Sequence, residues 1–155
     1  MQMNVGVDTG QIVAQAPLKI SKNDSFLTLR DKLVKLGSSQ LIETIPQYLS
    51  GQVKLIEQDN TATTVTTKLT KDAGEIDWSQ DVNLIDRQIR ALNPWPGTFT
   101  RLDGQNFKIL EAELVGSKLL PHVVTLEGKK AMSWVDFQNG YAERLKKQSW
   151  WGKIA

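Results

Sequence analysis

Arg90-Ala91-Leu92-Asn93-Pro94-Trp95-Pro96-Gly97-Thr98-Phe99-Thr100 decides how this chain is organised. The stretch ends an amphipathic helix, turns through two prolines and a glycine, and opens a strand. Pro94 and Pro96 fix their own φ, lack backbone donors and restrict the residue before each, so the helix cannot pass Asn93. Gly97 permits a close turn, and the β-branched and aromatic residues Thr98-Phe99-Thr100 favour a strand. The chain reads mostly as helix before this turn and as a small β unit after it.

Upstream, Val82, Ile85, Ile89 and Leu92 form one apolar stripe at helical spacing, and Ser79 or Asp81 can cap it. Arg87 and Arg90 lie near the C-terminal end of this helix, where its dipole favours cations. Downstream, Asp103-Gly104 is a hairpin turn between Thr98–Leu102 and 106–115. His122–Leu126 predicts a third strand, Gly128-Lys129-Lys130 a basic turn, and Ser133-Trp134-Val135-Asp136 the capped start of a helix. Tyr141–Trp151 extends that helix into an aromatic, basic tail.

Before the central helix the chain is less regular. Asp8-Thr9-Gly10 is a turn signal. Gln11–Ile20 alternates in part, which suits a strand, and Pro17 puts it at an edge. Phe26, Leu29, Leu33 and Leu36, then Leu41, Ile42, Ile45 and Leu49, predict two consecutive helices or one broken near Gly37, stopped by Gly51. The threonine-rich stretch 58–67 reads as an extended linker. Because this strand would have no earlier partner, the start of the chain is expected to be the tail of something larger.

Composition narrows the chemistry. The chain of 155 residues carries a net charge of only +2, so charge alone does not announce nucleic-acid binding. It has no cysteine and a single histidine, His122, which excludes thiolate chemistry and multi-histidine metal sites. No apolar run is long enough to span a membrane and no leader pattern opens the sequence, so a soluble cytoplasmic protein is expected, without metal.

Several separated blocks together are similar to one family. Gly6-Val7-Asp8-Thr9-Gly10, Ala62-Thr63 with Lys68-Leu69, Ile76-Asp77-Trp78, Ile89 to Gly97 and Gly128-Lys129-Lys130-Ala131-Met132-Ser133 occur in family order. The chain resembles the C-terminal half of methionyl-tRNA formyltransferase. The resemblance implies an α/β fragment, the last strand and helices of a doubly wound formyltransferase domain, joined to a small, abbreviated OB-like β-barrel. The expected boundaries are 1–56 for the catalytic-domain remnant, 57–76 for a linker and 77–155 for the OB-like domain.

The implied reaction is formyl transfer from formyl-tetrahydrofolate to the amino group of initiator methionyl-tRNA. It passes through a tetrahedral intermediate that needs oxyanion stabilisation and proton movement. The family's catalytic group is an Asn, a His in a His-Pro-Ser context and an Asp in a Gly-x-Asp-x-Gly loop. Only the Asp has a counterpart here, Asp8, with Gly6, Val7 and Asp8 against the cofactor. The Asn, the His and most of the folate pocket would lie upstream of Met1, so the chain alone is expected to be inactive. Lys68, Arg90, Arg101, Lys108, Lys129 and Lys130 are the candidate tRNA contacts; Lys129-Lys130 is the better pair, and an ordinary solvated surface is the competing reading, because acids are interleaved with these cations.

Trp78 and Trp95 are expected to pack the hinge. Trp134, Trp150 and Trp151 either meet a nucleic acid or partner or cover apolar surface. The missing N-terminal half of the enzyme and a second copy, docked on exposed apolar faces, are the further implied partners. Two other functions stay open: an aminosugar-nucleotide formyltransferase fragment, whose family usually has tyrosine where Trp95 stands, and a non-catalytic tRNA- or nucleic-acid-binding OB-like module.

Overall fold

The computed structural model describes all 155 residues and divides into two compact units, Met1–Thr67 and Lys68–Ala155.

The first unit is built on one helix, α1 (Phe26–Leu49). Ser25 caps it: its hydroxyl accepts from the Thr28 amide while the Thr28 hydroxyl accepts from the Ser25 amide. The helix runs unbroken through Gly37, and Pro46 lies inside it near the C-terminal end. A Gly penalty of about 1 kcal/mol is smaller than that of ending a well-capped helix in mid-run. Gly51, at φ +73°, closes the helix: its amide donates to Tyr48 and the Gln52 amide to Gln47, the paired bonds of a Schellman stop. No residue of α1 is buried.

The strand expected over Gln11–Ile20 does not form. Only Ile12 pairs, through two backbone hydrogen bonds to Ile56 (2.8 and 3.0 Å). A strand is stabilised by a ladder, and no neighbouring strand supplies one beyond that bridge, while Pro17 lacks a donor. The first unit therefore contains a helix and ordered loops and shows no doubly wound sheet.

The second unit holds the core. A 3₁₀ turn (Lys71–Gly74) leads to Ile76, whose amide donates to the Phe99 carbonyl at 2.8 Å. Gly74 is required at this approach: a Cβ there would lie 1.9 Å from the Gly97 carbonyl oxygen. Helix α2 (Val82–Leu92) starts at Asp81, whose carboxylate accepts from the Asn83 amide, and buries Ile85 and Ile89. Both X-Pro bonds of the Asn93–Gly97 loop are cis.

Strands β1 (Thr98–Leu102), β2 (Gln105–Val115), β3 (Lys118–Leu126) and β4 (Met132–Ser133) form an antiparallel meander in that order. β1 and β4 do not pair, so the sheet is open and is not closed into a barrel. β3 begins four residues earlier than its apolar pattern predicts, because Lys118 to Pro121 find partners in the long arm of β2. Helix α3 (Trp134–Lys146) is capped by Ser133, whose hydroxyl accepts from the Asp136 amide at 3.1 Å. It ends at Lys146 rather than reaching Trp151; Trp151–Lys153 is a separate 3₁₀ turn.

Alternate residues of the strands, Leu102, Phe107, Ile109, Leu119, Val124 and Leu126, join Ile85, Ile89, Phe137 and Leu145 in one core. Phe107 is stacked with Phe137 (4.8 Å between ring centroids) and with Trp150 (6.0 Å). Trp134 and Trp150 are buried and Trp151 packs beside them, so the C-terminal aromatics cover apolar surface. Trp78 is stacked on Trp150 and donates from Nε1 to the Thr100 hydroxyl (2.9 Å), as hinge packing requires. Trp95 differs from the expectation, being 56% exposed. No helix is long and apolar enough to cross a membrane.

Candidate functional site: a loop carboxylate and a basic sheet face

The Gly6-Val7-Asp8 loop is an exposed turn. Asp8 has φ +55°, a conformation that Asp tolerates better than most residues. Gln58 fixes the backbone of the turn: its amide nitrogen donates to the carbonyls of Asp8 (2.8 Å) and Gly10 (2.6 Å). The Thr9 hydroxyl donates to the Gly6 carbonyl at 3.2 Å. Val7 is almost fully exposed, and no side chain donates to the Asp8 carboxylate.

The cavity of the first unit, about 290 Å³, is lined by Met1, Gln2, Val13, Leu41, Ile45 and Tyr48 among others, and by none of Gly6, Val7 or Asp8. All three residues are exposed. The only imidazole, His122, is on β3, 3.4 Å from Glu113 Oε1. No group of acids and histidine is arranged to hold a metal ion.

The cations separate into three places. Lys68 is exposed at the start of the second unit. Arg90 lies on α2, where Nε and Nη2 both donate to Asp86 Oδ2 (3.0 and 2.9 Å), so it is engaged in an i,i+4 ion pair. The spacing Asp86-x-x-x-Arg90 is the sequence signal for that pairing.

Arg101, Lys108, Lys129 and Lys130 gather at one end of the outer sheet face. On β1, Thr98, Thr100 and Leu102 point to the core, so Phe99 and Arg101 point away. Lys108 stands opposite Phe99, and Thr125 opposite Lys108. The Arg101 guanidinium sits 5.7 Å from the Phe99 ring centroid, a cation–π contact. The Thr125 hydroxyl donates to the Lys129 carbonyl at 3.1 Å, and the Lys129 amide donates to the Leu126 carbonyl at 2.9 Å. This fixes the basic turn at the edge of the same face.

The hairpin turn below is tied down separately. The Arg144 guanidinium donates to Asp103, whose carboxyl is thereby held below the usual aspartate range, with Gln148 adding a further donor. Asp77 and Asp81 are also lowered, by hydrogen bonds from Ser79 and Asn83.

The second unit is thus an open antiparallel meander backed by two helices, with its first strand entered through an Asn-Pro-Trp-Pro-Gly loop. Residues 68–122 match the family model described as "Formyl transferase, C-terminal domain". The chain is a relative of the C-terminal half of methionyl-tRNA formyltransferase. It is 38% identical over 132 residues to the methionyl-tRNA formyltransferase of Streptococcus equi subsp. equi, covering 85% of this chain and 42% of that protein. The Streptococcus mutans enzyme is 32% identical over 175 residues, covering 99% of this chain and 56% of that protein. The chain thus spans about half the length of the curated relatives it matches. In fold, the methionyl-tRNA formyltransferase from Clostridium thermocellum superposes with a TM-score of 0.61 at 20% identity, covering 80% of this chain and 52% of that one.

Proposed function

We propose that the chain is part of a cytoplasmic enzyme that formylates initiator methionyl-tRNA from formyl-tetrahydrofolate, and that its role is to hold the tRNA. The observation that carries this reading is the gathering of Arg101, Lys108 and the Lys129-Lys130 turn on one sheet face, in a chain whose relatives bear that enzyme's name. Such cations contact phosphates and position the nucleic acid without reading sequence. Lys68 and Arg90 serve the same reading less directly, Arg90 through whatever its pairing with Asp86 leaves exposed.

Under this reading residues 1–56 are the end of the catalytic domain, 57–76 the linker and 77–155 an OB-like domain with an open sheet. Asp8 is the carboxylate of the catalytic loop, and Gly6 and Val7 form one wall of the donor site. The chain supplies neither the imidazole that such a carboxylate orients nor an enclosing pocket, so formyl transfer requires the rest of the enzyme. The exposed apolar face of α1 docks against that remaining part; α1 buries no residue of its own.

Formyl transfer to methionyl-tRNA and to an aminosugar nucleotide, measured with the chain alone and with the complete enzyme, tests the proposal. The expected result is no transfer by the chain and transfer to methionyl-tRNA by the enzyme. Transfer to the aminosugar nucleotide instead would reassign the substrate. Binding of tRNA by the chain in a cell without the complete enzyme would favour a free-standing binding module.

A further inference from the structure

The outer sheet face is electrically divided along its strands. At the end that carries the β1–β2 and β3–β4 turns lie Arg101, Lys108, Lys129 and Lys130. Further along β2, toward the β2–β3 turn, Glu111 and Glu113 are exposed. Irregular register at Leu110 separates the two regions, so Lys108 and Glu111 share the outer side of the strand although three positions apart. Lys118, at the far end of β3, is the cation beyond the acids. Glu127 faces the basic end, but its carboxylate is engaged by the Asn106 amide at 2.9 Å.

Resting on the reading that this unit holds tRNA, we infer that a helical RNA backbone crosses the sheet transversely, over Phe99, Lys108 and Thr125 to the Lys129-Lys130 turn. Glu111 and Glu113 bar it from running along the strands. Adjacent strands are about 4.8 Å apart, so this row spans about 10 Å across the three strands, with the lysine turn beyond. The register makes the path continuous: Phe99 pairs with Lys108 and Lys108 with Thr125.

The face favours a helical backbone over a single strand. Its one aromatic, Phe99, is half-buried, and Arg101 lies over its ring. Single-strand binding faces instead offer open rings on which successive bases stack. The contacts left on this face are the cations, which suit phosphates.

Binding of the full chain to uncharged initiator tRNA, and to oligo(U) of matched length, would be titrated across a salt series. Lys108→Ala should weaken tRNA binding several-fold and lower the salt slope by about 1, and Arg101→Ala should act similarly. Glu111→Gln with Glu113→Gln should tighten it, Lys118→Ala should leave it unchanged, and oligo(U) should bind more weakly. Thermal unfolding of each variant separates lost contacts from lost fold. If tRNA binds but Lys118→Ala matches Lys108→Ala, or oligo(U) binds more tightly, the crossing path is wrong and the tRNA reading stands. If tRNA does not bind at any salt concentration, both fail.

Discussion

Trp78 lies nearly flat on Trp150, with 5.2 Å between ring centroids and 15° between planes. The pair joins the segment that enters the second unit to the one that leaves it, and Trp150 is also stacked with Phe107 at the centre of the sheet. Trp150→Ala should therefore cost about 3–5 kcal/mol of unfolding free energy, the range for truncating a large buried aromatic. Urea denaturation checks this. A loss below about 1 kcal/mol would mean that the stacked pair is peripheral to the core.

Asn93 fixes the loop after α2. Its side-chain nitrogen donates to the carbonyls of Ile89 (2.9 Å) and Ile109 (3.2 Å), linking the helix end to β2. Asn93→Ala should destabilise the second unit by about 1–2 kcal/mol, because the Thr98 hydroxyl, which donates to the Ile109 carbonyl at 2.7 Å, remains. Gly74→Ala should be worse than Asn93→Ala, since its new Cβ meets backbone at 1.9 Å. The order of the two urea midpoints tests both statements.

Asp103 gives the fold an acid dependence of known sign. Its folded pKa is depressed by the hydrogen bond from Arg144. Its stabilising contribution is therefore present above the unfolded value, about 3.9, and is lost as pH falls through the lower folded value. Wild type and Asp103→Asn should differ in urea midpoint at pH 6 and converge near pH 2. A difference that persists there would mean that the hydrogen bonds, and not the charge, carry the effect.

α1 leaves Leu41 60% and Ile42 73% exposed. In isolation that apolar face should drive self-association, seen as a mass that rises with concentration in light scattering. Leu41→Lys with Ile42→Lys should restore a monomer. The amides of α1 should exchange faster than those of β2, because no side chain of the helix is buried.

The second unit was the legible part of the sequence, for local reasons. Asp103-Gly104, the Ser133 cap and the Val82–Leu92 stripe each carry their signal within a few residues. Outcomes that depend on distant partners were harder to read. Gln11–Ile20 alternates like a strand and lacks a ladder; Gly37 looks like a break and sits within one helix. Trp95 is exposed while Trp134 and Trp150 are buried, a difference set by where the chain folds back. On the sheet face, alternation alone puts Arg101 with Phe99, but only the pairing register brings Lys108 and the Lys129 turn beside them.

The most direct test of the account is a chimera in which this chain replaces the matching C-terminal half of the Streptococcus mutans methionyl-tRNA formyltransferase, assayed for formylation of initiator methionyl-tRNA. The chimera should formylate it, and should lose most of that activity when Asp8→Asn is introduced. A folded chimera without formyl transfer, or one indifferent to Asp8→Asn, would contradict it.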